Sequence, residues 1–142
     1  MMGSFEFKFD CSDVDWGDVY NLLKKVGMAT HHQEILRKAF KNSFAVIFVF
    51  EGERLIGMGR AISDGAYQAA LYDIAVEPEY QGRGLGRTIT KKLCDKLSGC
   101  NIILYTVPGT EVFYEKVHFR RMLTGMARFV NEERAVNRGV IK

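Results

Sequence analysis

Phe5, Phe7 and Phe9 alternate with Glu6, Lys8 and Asp10, the period of two expected of a strand with one wet face. The period then lengthens. Between Asp13 and Val26, the residues Trp16, Val19, Leu22, Leu23 and Val26 recur at helical spacing, and Gly27 stands where a C-terminal cap is expected. A second helix carrying Ile35, Leu36, Ala39 and Phe40 is predicted to start at Thr30 or a neighbour. Phe44 to Phe50, Leu55 to Ile62 and Gln68 to Val76 are strand-rich. The turns between them, Glu51-Gly52-Glu53-Arg54 and Ser63-Asp64-Gly65-Ala66, predict an antiparallel meander in which Asp64 is a turn residue.

Leu85, Ile89, Leu93 and Leu97 then recur every fourth residue against Arg87, Lys91, Lys92 and Lys96. This predicts a helix closed by Gly99, followed by a short apolar strand from Ile102 to Val107 and another helix from about Gly109 to Val117. Phe119 to Leu123 and Met126 to Val130 fit a final pair of strands, and Met122 to Val130 is apolar strand material that a homodimer could share. Residues 1–130 are read as one domain and Asn131 to Lys142 as a loose polar tail. The fold class expected is mixed α/β (α+β), a central, mostly antiparallel sheet flanked by about four helices.

Composition narrows the partners. With 142 residues, 47% of them apolar, and only two prolines, the chain is long enough to bury a substantial core. A net charge of +3 falls far short of the concentrated basic stripe of a nucleic-acid protein, yet suits an anionic ligand. Cys11, Cys94 and Cys100 are odd in number and lack metal-type spacing, so reduced structural thiols and no metal site are expected. No signal peptide and no apolar run of ~18 residues is present, which predicts a soluble, cytoplasmic protein without a membrane partner.

One stretch carries chemistry. Gln81-Gly82-Arg83-Gly84-Leu85-Gly86 follows an apolar strand and opens the most amphipathic helix. Glycines allow close backbone approach, and a helix start offers unpaired N–H groups with about half a positive charge, so the stretch is an anion site suited to phosphate. The dinucleotide pattern G-x-G-x-x-G would need a third glycine at Arg87. The P-loop pattern would find Arg87 and Thr88 one step early and no lysine. Neither nucleotide motif fits.

The string does match Q-x-x-G-x-G, preceded by Leu71-Tyr72-Asp73-Ile74-Ala75-Val76-Glu77-Pro78-Glu79-Tyr80, and here the chain resembles the GNAT-type N-acetyltransferases. A second block, Val107 to Phe119 with Phe113-Tyr114-Glu115-Lys116 at its centre, is similar to that family's late strand-to-helix segment. The resemblance implies acetyl-CoA as acyl-donor cosubstrate. It places the pyrophosphate of coenzyme A on the backbone of Gln81, Gly82, Arg83, Gly84, Leu85 and Gly86, with Arg87 and Thr88 just beyond. It pairs the pantetheine arm with Ile74, Ala75 and Val76, and implies a sheet splayed between that strand and the next.

The acceptor implied is a primary amine, expected to belong to a small molecule. Acetylation of a protein lysine or N-terminus and a non-catalytic CoA-binding module are the alternatives. An alkylamine with pKa near ~10.4 is mostly protonated at neutral pH, so a base, or a site that lowers the amine's pKa, is needed. Asp73 is the candidate base or amine anchor, with a structural carboxylate as the other reading. Tyr114 matches the family's tyrosine that protonates the departing thiolate. A phenol near ~10 facing a thiol near ~8.5 makes that transfer uphill by about 2 kcal/mol unless desolvation raises the thiolate's basicity.

Two departures stand out. Val107 occupies a position where many relatives carry asparagine, and His118 one where glycine is usual. The second position is predicted to close a helix in a left-handed turn, at a cost of roughly 1 kcal/mol to a residue with a Cβ. His31, His32 and His118 are expected to be solvated.

Overall fold

The computed structural model describes residues 4–29 and 31–142, arranged as two compact units, residues 1–103 and 104–142. The first unit contains strand β1 (Phe5–Lys8), helices α1 (Trp16–Lys25) and α2 (Gln33–Lys41), strands β2 (Ala45–Glu51), β3 (Arg54–Ser63) and β4 (Gln68–Val76), a 3-10 turn (Pro78–Tyr80), helix α3 (Leu85–Asp95) and strand β5 (Asn101–Ile103). The five strands form one sheet in sequence order, antiparallel from β1 to β4 and parallel between β4 and β5. The mixed, mostly antiparallel sheet flanked by helices is thus the architecture expected. Thr30, offered above as a helix start, lies outside the described residues.

Local chemistry sets the helix ends. Asp15 caps α1 by accepting from the Gly17 N–H at 2.8 Å, and Gly27 (φ +77°) closes it, with Met28 N–H donating to Leu23 C=O at 2.8 Å. The C-terminal glycine is where the pattern predicts it. Strand β2 is buried along nearly its whole length because both faces of the sheet are covered. On one face Val46, Phe48 and Phe50 meet Val19, Leu22 and Leu23 of α1 and Leu36 and Phe40 of α2.

On the other face α3 lies against β2, β3 and β4, with Leu85, Ile89 and Leu93 fully buried. Two glycines of β3 permit the approach. A Cβ on Gly57 would stand 2.8 Å from Ile89 Cδ1, and one on Gly59 would stand 2.9 Å from Leu93 Cδ1. The Ser63 to Gln68 turn is held by Asp64, whose Oδ1 accepts from the N–H groups of Ala66, Tyr67 and Gln68. That is the turn role expected of it.

The second unit holds helices α4 (Glu111–Glu115) and α5 (Glu132–Asn137). Three expectations are corrected here and at its border. The strand predicted over Ile102 to Val107 is limited to Asn101–Ile103, because its ladder with β4 ends at Ala70↔Ile103. The two strands predicted over 119–130 do not form, and Leu123, Met126 and Val130 are fully exposed. Apolar alternation does not make a strand without a ladder partner, and an isolated two-stranded hairpin is marginal in water.

The third correction is the tail, read as loose, where α5 forms. Asn131 caps it by accepting from Arg134 N–H at 3.0 Å, two glutamates fill the first turn, and Ala135 is buried. That cap and charge pattern was legible in the sequence and was outweighed by overall polarity. No helix among the described residues is long and apolar enough to cross a membrane.

Candidate acyl-CoA site

The site is built around the end of β4. Opposite Gly59, the single β3 residue between Met58 and Arg60, β4 has two, Asp73 and Ile74, so the strand bulges. Asp73 carries the strain, with φ +56°. Its Oδ2 accepts from Arg60 Nε at 2.6 Å, and both side chains are largely shielded from solvent. Beyond Ala70, the ladder pairs of β4 lie on its β3 side only. Ile74, Ala75 and Val76 therefore run along a sheet edge that is not laddered to β5. Ala75 is itself buried in the core, which leaves its backbone as the part able to meet a ligand.

After Val76 the chain enters the glycine loop through a network that the sequence reading missed. Glu77 is buried, ion-paired to Lys25 at 2.8 Å and Arg54 at 3.3 Å, and its N–H donates to Ile56 C=O. Arg54 also pairs with Glu79, and Tyr80 donates its hydroxyl to Glu51. The Arg83 guanidinium lies 5.3 Å from the Tyr80 ring centroid. Lys25 and Glu77 lie 52 residues apart on unrelated elements, so no local signal joins them. Only the acidic run Glu77-Pro78-Glu79 hinted that cations had to come from elsewhere.

Gln81 turns back and donates from Nε2 to Val76 C=O at 2.9 Å, which ties the loop to the strand. Gly82 (φ +80°) and Gly84 (φ +86°) hold left-handed backbone, and Gly84 is the N-cap of α3. No side chain caps this helix, in contrast to α1 and α5. Its first N–H groups and the positive end of its dipole are thus presented by Gly84, Leu85, Gly86 and Arg87. The Leu85 side chain is core, and Thr88 Oγ1 donates to Gly84 C=O at 3.1 Å, so both offer backbone rather than side-chain contacts. Arg83 and Arg87 are exposed. This geometry is an open anion cradle at the end of a half-laddered strand.

Comparison with known proteins gives the family. The sequence model of the Acetyltransferase (GNAT) family matches residues 16–119. The chain belongs to the GNAT acetyltransferase family. Among its relatives, the histone acetyltransferase TAP1 of Glycine max is 36% identical over 121 residues, 75% of this chain and 52% of that protein. The chloroplastic serotonin N-acetyltransferase 2 of Oryza sativa subsp. japonica is 29% identical over 143 residues, 94% of this chain and 72% of that protein. The chain thus spans about half the length of the soybean relative. A GNAT-family structure from Xanthomonas campestris pv. campestris superposes with a TM-score of 0.80 at 25% identity, covering 92% of this chain and 96% of that one. A GNAT-family acetyltransferase from Streptococcus pneumoniae gives 0.77 at 24% identity, covering 89% and 98%.

The second GNAT block lies in the other compact unit. Tyr114 sits on α4 between Phe113 and Phe119, with edge-on ring contacts at 4.9 and 5.9 Å. Burial pushes its phenol pKa above the ordinary 10.0. Glu111 accepts from Gly109 N–H at 2.6 Å, and backbone N–H donors, its own first, hold its carboxyl below the ordinary range. His118 adopts φ +76° and ends α4, with Phe119 N–H donating to Tyr114 C=O at 3.0 Å. The left-handed closure expected at the family's glycine position is present, made by a histidine.

Proposed function

We propose that the protein transfers the acetyl group of acetyl-CoA to the primary amine of a small molecule, by direct attack in a ternary complex. The observation that carries the reading is the uncapped, glycine-opened start of α3 beside the β4 segment that leaves its β5 ladder after Ala70. The chain's groups fit coenzyme A: left-handed glycines leave room for a pyrophosphate, and oriented N–H groups supply the counter-field. In this reading the backbone of Gly82 to Gly86 holds the pyrophosphate, with Arg83 and Arg87 as flanking cations. Backbone groups of Ile74, Ala75 and Val76 pair with the amides of the pantetheine arm.

Acetyl-CoA, when bound, supplies the thioester. Attack of the neutral amine forms the C–N bond and breaks the C–S bond; Tyr114 gives its proton to the departing sulfur, and the proton shed by the acylated nitrogen returns to the phenolate through solvent. Its raised pKa keeps that proton on the phenol at neutral pH and deepens the need for a desolvated, more basic sulfur. Asp73 has its Oδ2 engaged by Arg60, which supports an architectural role in the site over that of a proton acceptor. Thiol release from acetyl-CoA, measured against arylalkylamines, polyamines, aminosugars and lysine peptides, tests the proposal. Release above the hydrolysis blank with a small amine is expected, and no release with any amine would sink it. A preference for lysine peptides would favour protein acetylation, the reading suggested by the soybean relative's name.

A further inference from the structure

We infer that Arg60 is a positioning residue for acetyl transfer: it clasps the β4 bulge through Asp73 and ties that bulge to the end of α2. The inference rests on the acetyltransferase reading for its kinetic part only. Asp73 is a non-glycine residue in left-handed backbone inside a strand, a conformation that persists only where its surroundings hold it.

Two contacts supply the hold. On the α3 side, Ile74 covers Gly59, where a Cβ would approach Ile74 Cγ1 to 3.1 Å. On the α2 side, Arg60 Nε donates to Asp73 at 2.6 Å. The same guanidinium donates from Nη1 to Ser43 Oγ at 3.4 Å, and Ser43 Oγ in turn donates to Ala39 C=O at 2.8 Å. Its Cζ stands 5.6 Å from the Phe40 ring centroid and 5.3 Å from that of Tyr72. A planar fork between two rings, with polar ties from two of its nitrogens, has one orientation available; a lysine could not reproduce it.

The clasp matters because the bulge sets the direction of the Ile74 and Ala75 backbone groups, which meet the acyl end of the donor in the proposed site. A small rotation there misaligns the thioester while leaving the glycine loop, eight or more residues further on, undisturbed. The signature is therefore a split. Arg60→Met is expected to lower kcat by about tenfold or more while CoA affinity changes less than about threefold. Amide exchange in the unliganded protein should quicken at Asp73 to Ala75 and not in α3.

Asp73 variants separate clasp from base. Asparagine tolerates the left-handed region and still accepts from Arg60, so Asp73→Asn should retain more turnover than Asp73→Ala; equal losses are the result for a proton acceptor. Glycine takes φ +56° without strain, so Arg60→Met added to Asp73→Gly should cost less than it does alone. Arg60→Lys, with melting curves on every variant, guards against simple unfolding and should remain well below wild type in kcat. Unchanged kcat and unchanged exchange in Arg60→Met, or additive effects in the double variant, overturn the inference. An inactive wild type with quickened exchange in Arg60→Met would instead overturn the acetyltransferase reading and leave the clasp standing.

Discussion

Ile89 of α3 lies so close over Gly57 of β3 that a Cβ on the glycine would come within 2.8 Å of its Cδ1. Gly59 is more crowded still, with Leu93, Ile74 and Ile89 atoms all within 3.3 Å of the same imagined Cβ. The helix whose start is the proposed pyrophosphate cradle is therefore seated on the sheet by two missing side chains. Its height sets the distance between cradle and strand.

Alanine at either glycine should push α3 outward. Overpacking of this kind typically costs about 1–3 kcal/mol. Gly59→Ala is expected to lose more than Gly57→Ala, where a single side-chain tip can turn aside. Urea melts would measure the difference, and weaker CoA binding by the folded variants would show that the height of α3 matters to the cradle.

Gly84 offers the opposite case, because nothing lies within 4 Å of its imagined Cβ. The objection to a side chain there is the backbone angle alone, φ +86°, worth about 1–2 kcal/mol. Gly84→Val should weaken CoA binding roughly tenfold by calorimetry, as the cap relaxes away from the left-handed region. Unaltered affinity would remove the loop from the donor site.

His118 holds the same kind of conformation with a Cβ, at φ +76°. His118→Gly should raise stability by about 1 kcal/mol, less the extra entropy that glycine gives the unfolded chain. Thermal unfolding would register the gain. A loss would mean that the imidazole makes a contact worth more than the strain.

Tyr114→Phe should lower turnover and spare acetyl-CoA affinity, since the phenol hydroxyl is assigned to proton delivery alone. A stability signature accompanies it. Burial raises the folded-state pKa above the unfolded value near 10.0, so the unfolded chain ionises first. Stability linked to Tyr114 is complete below that value and lost as pH rises through the folded pKa. Wild type should therefore weaken more steeply than Tyr114→Phe in alkaline melts, and parallel curves would count against a buried phenol.

Local pattern determined a great deal of this protein. Alternation and helical spacing placed β1 to β4 and α1 to α3, Gly27 and Asp64 were legible as cap and turn, and the glycine run marked the start of α3, because each is a contest among near neighbours in sequence. His118 was readable as a left-handed closure for the same reason. The Asn131 cap and its acidic first turn were equally local, and the polarity of the tail obscured them.

Tertiary structure decided what depends on partners far along the chain. Whether 119–130 would form strands hinged on ladder partners, which no alternation can supply. The fit of Gly57 and Gly59 under α3, the Lys25–Glu77–Arg54 network beneath the loop and the Arg60–Asp73 pair at the bulge each join elements that meet only in the fold. The glycine loop is a property of the sequence. Its height above the sheet, and the strain held at Asp73, arise because close packing and ion pairing act through space.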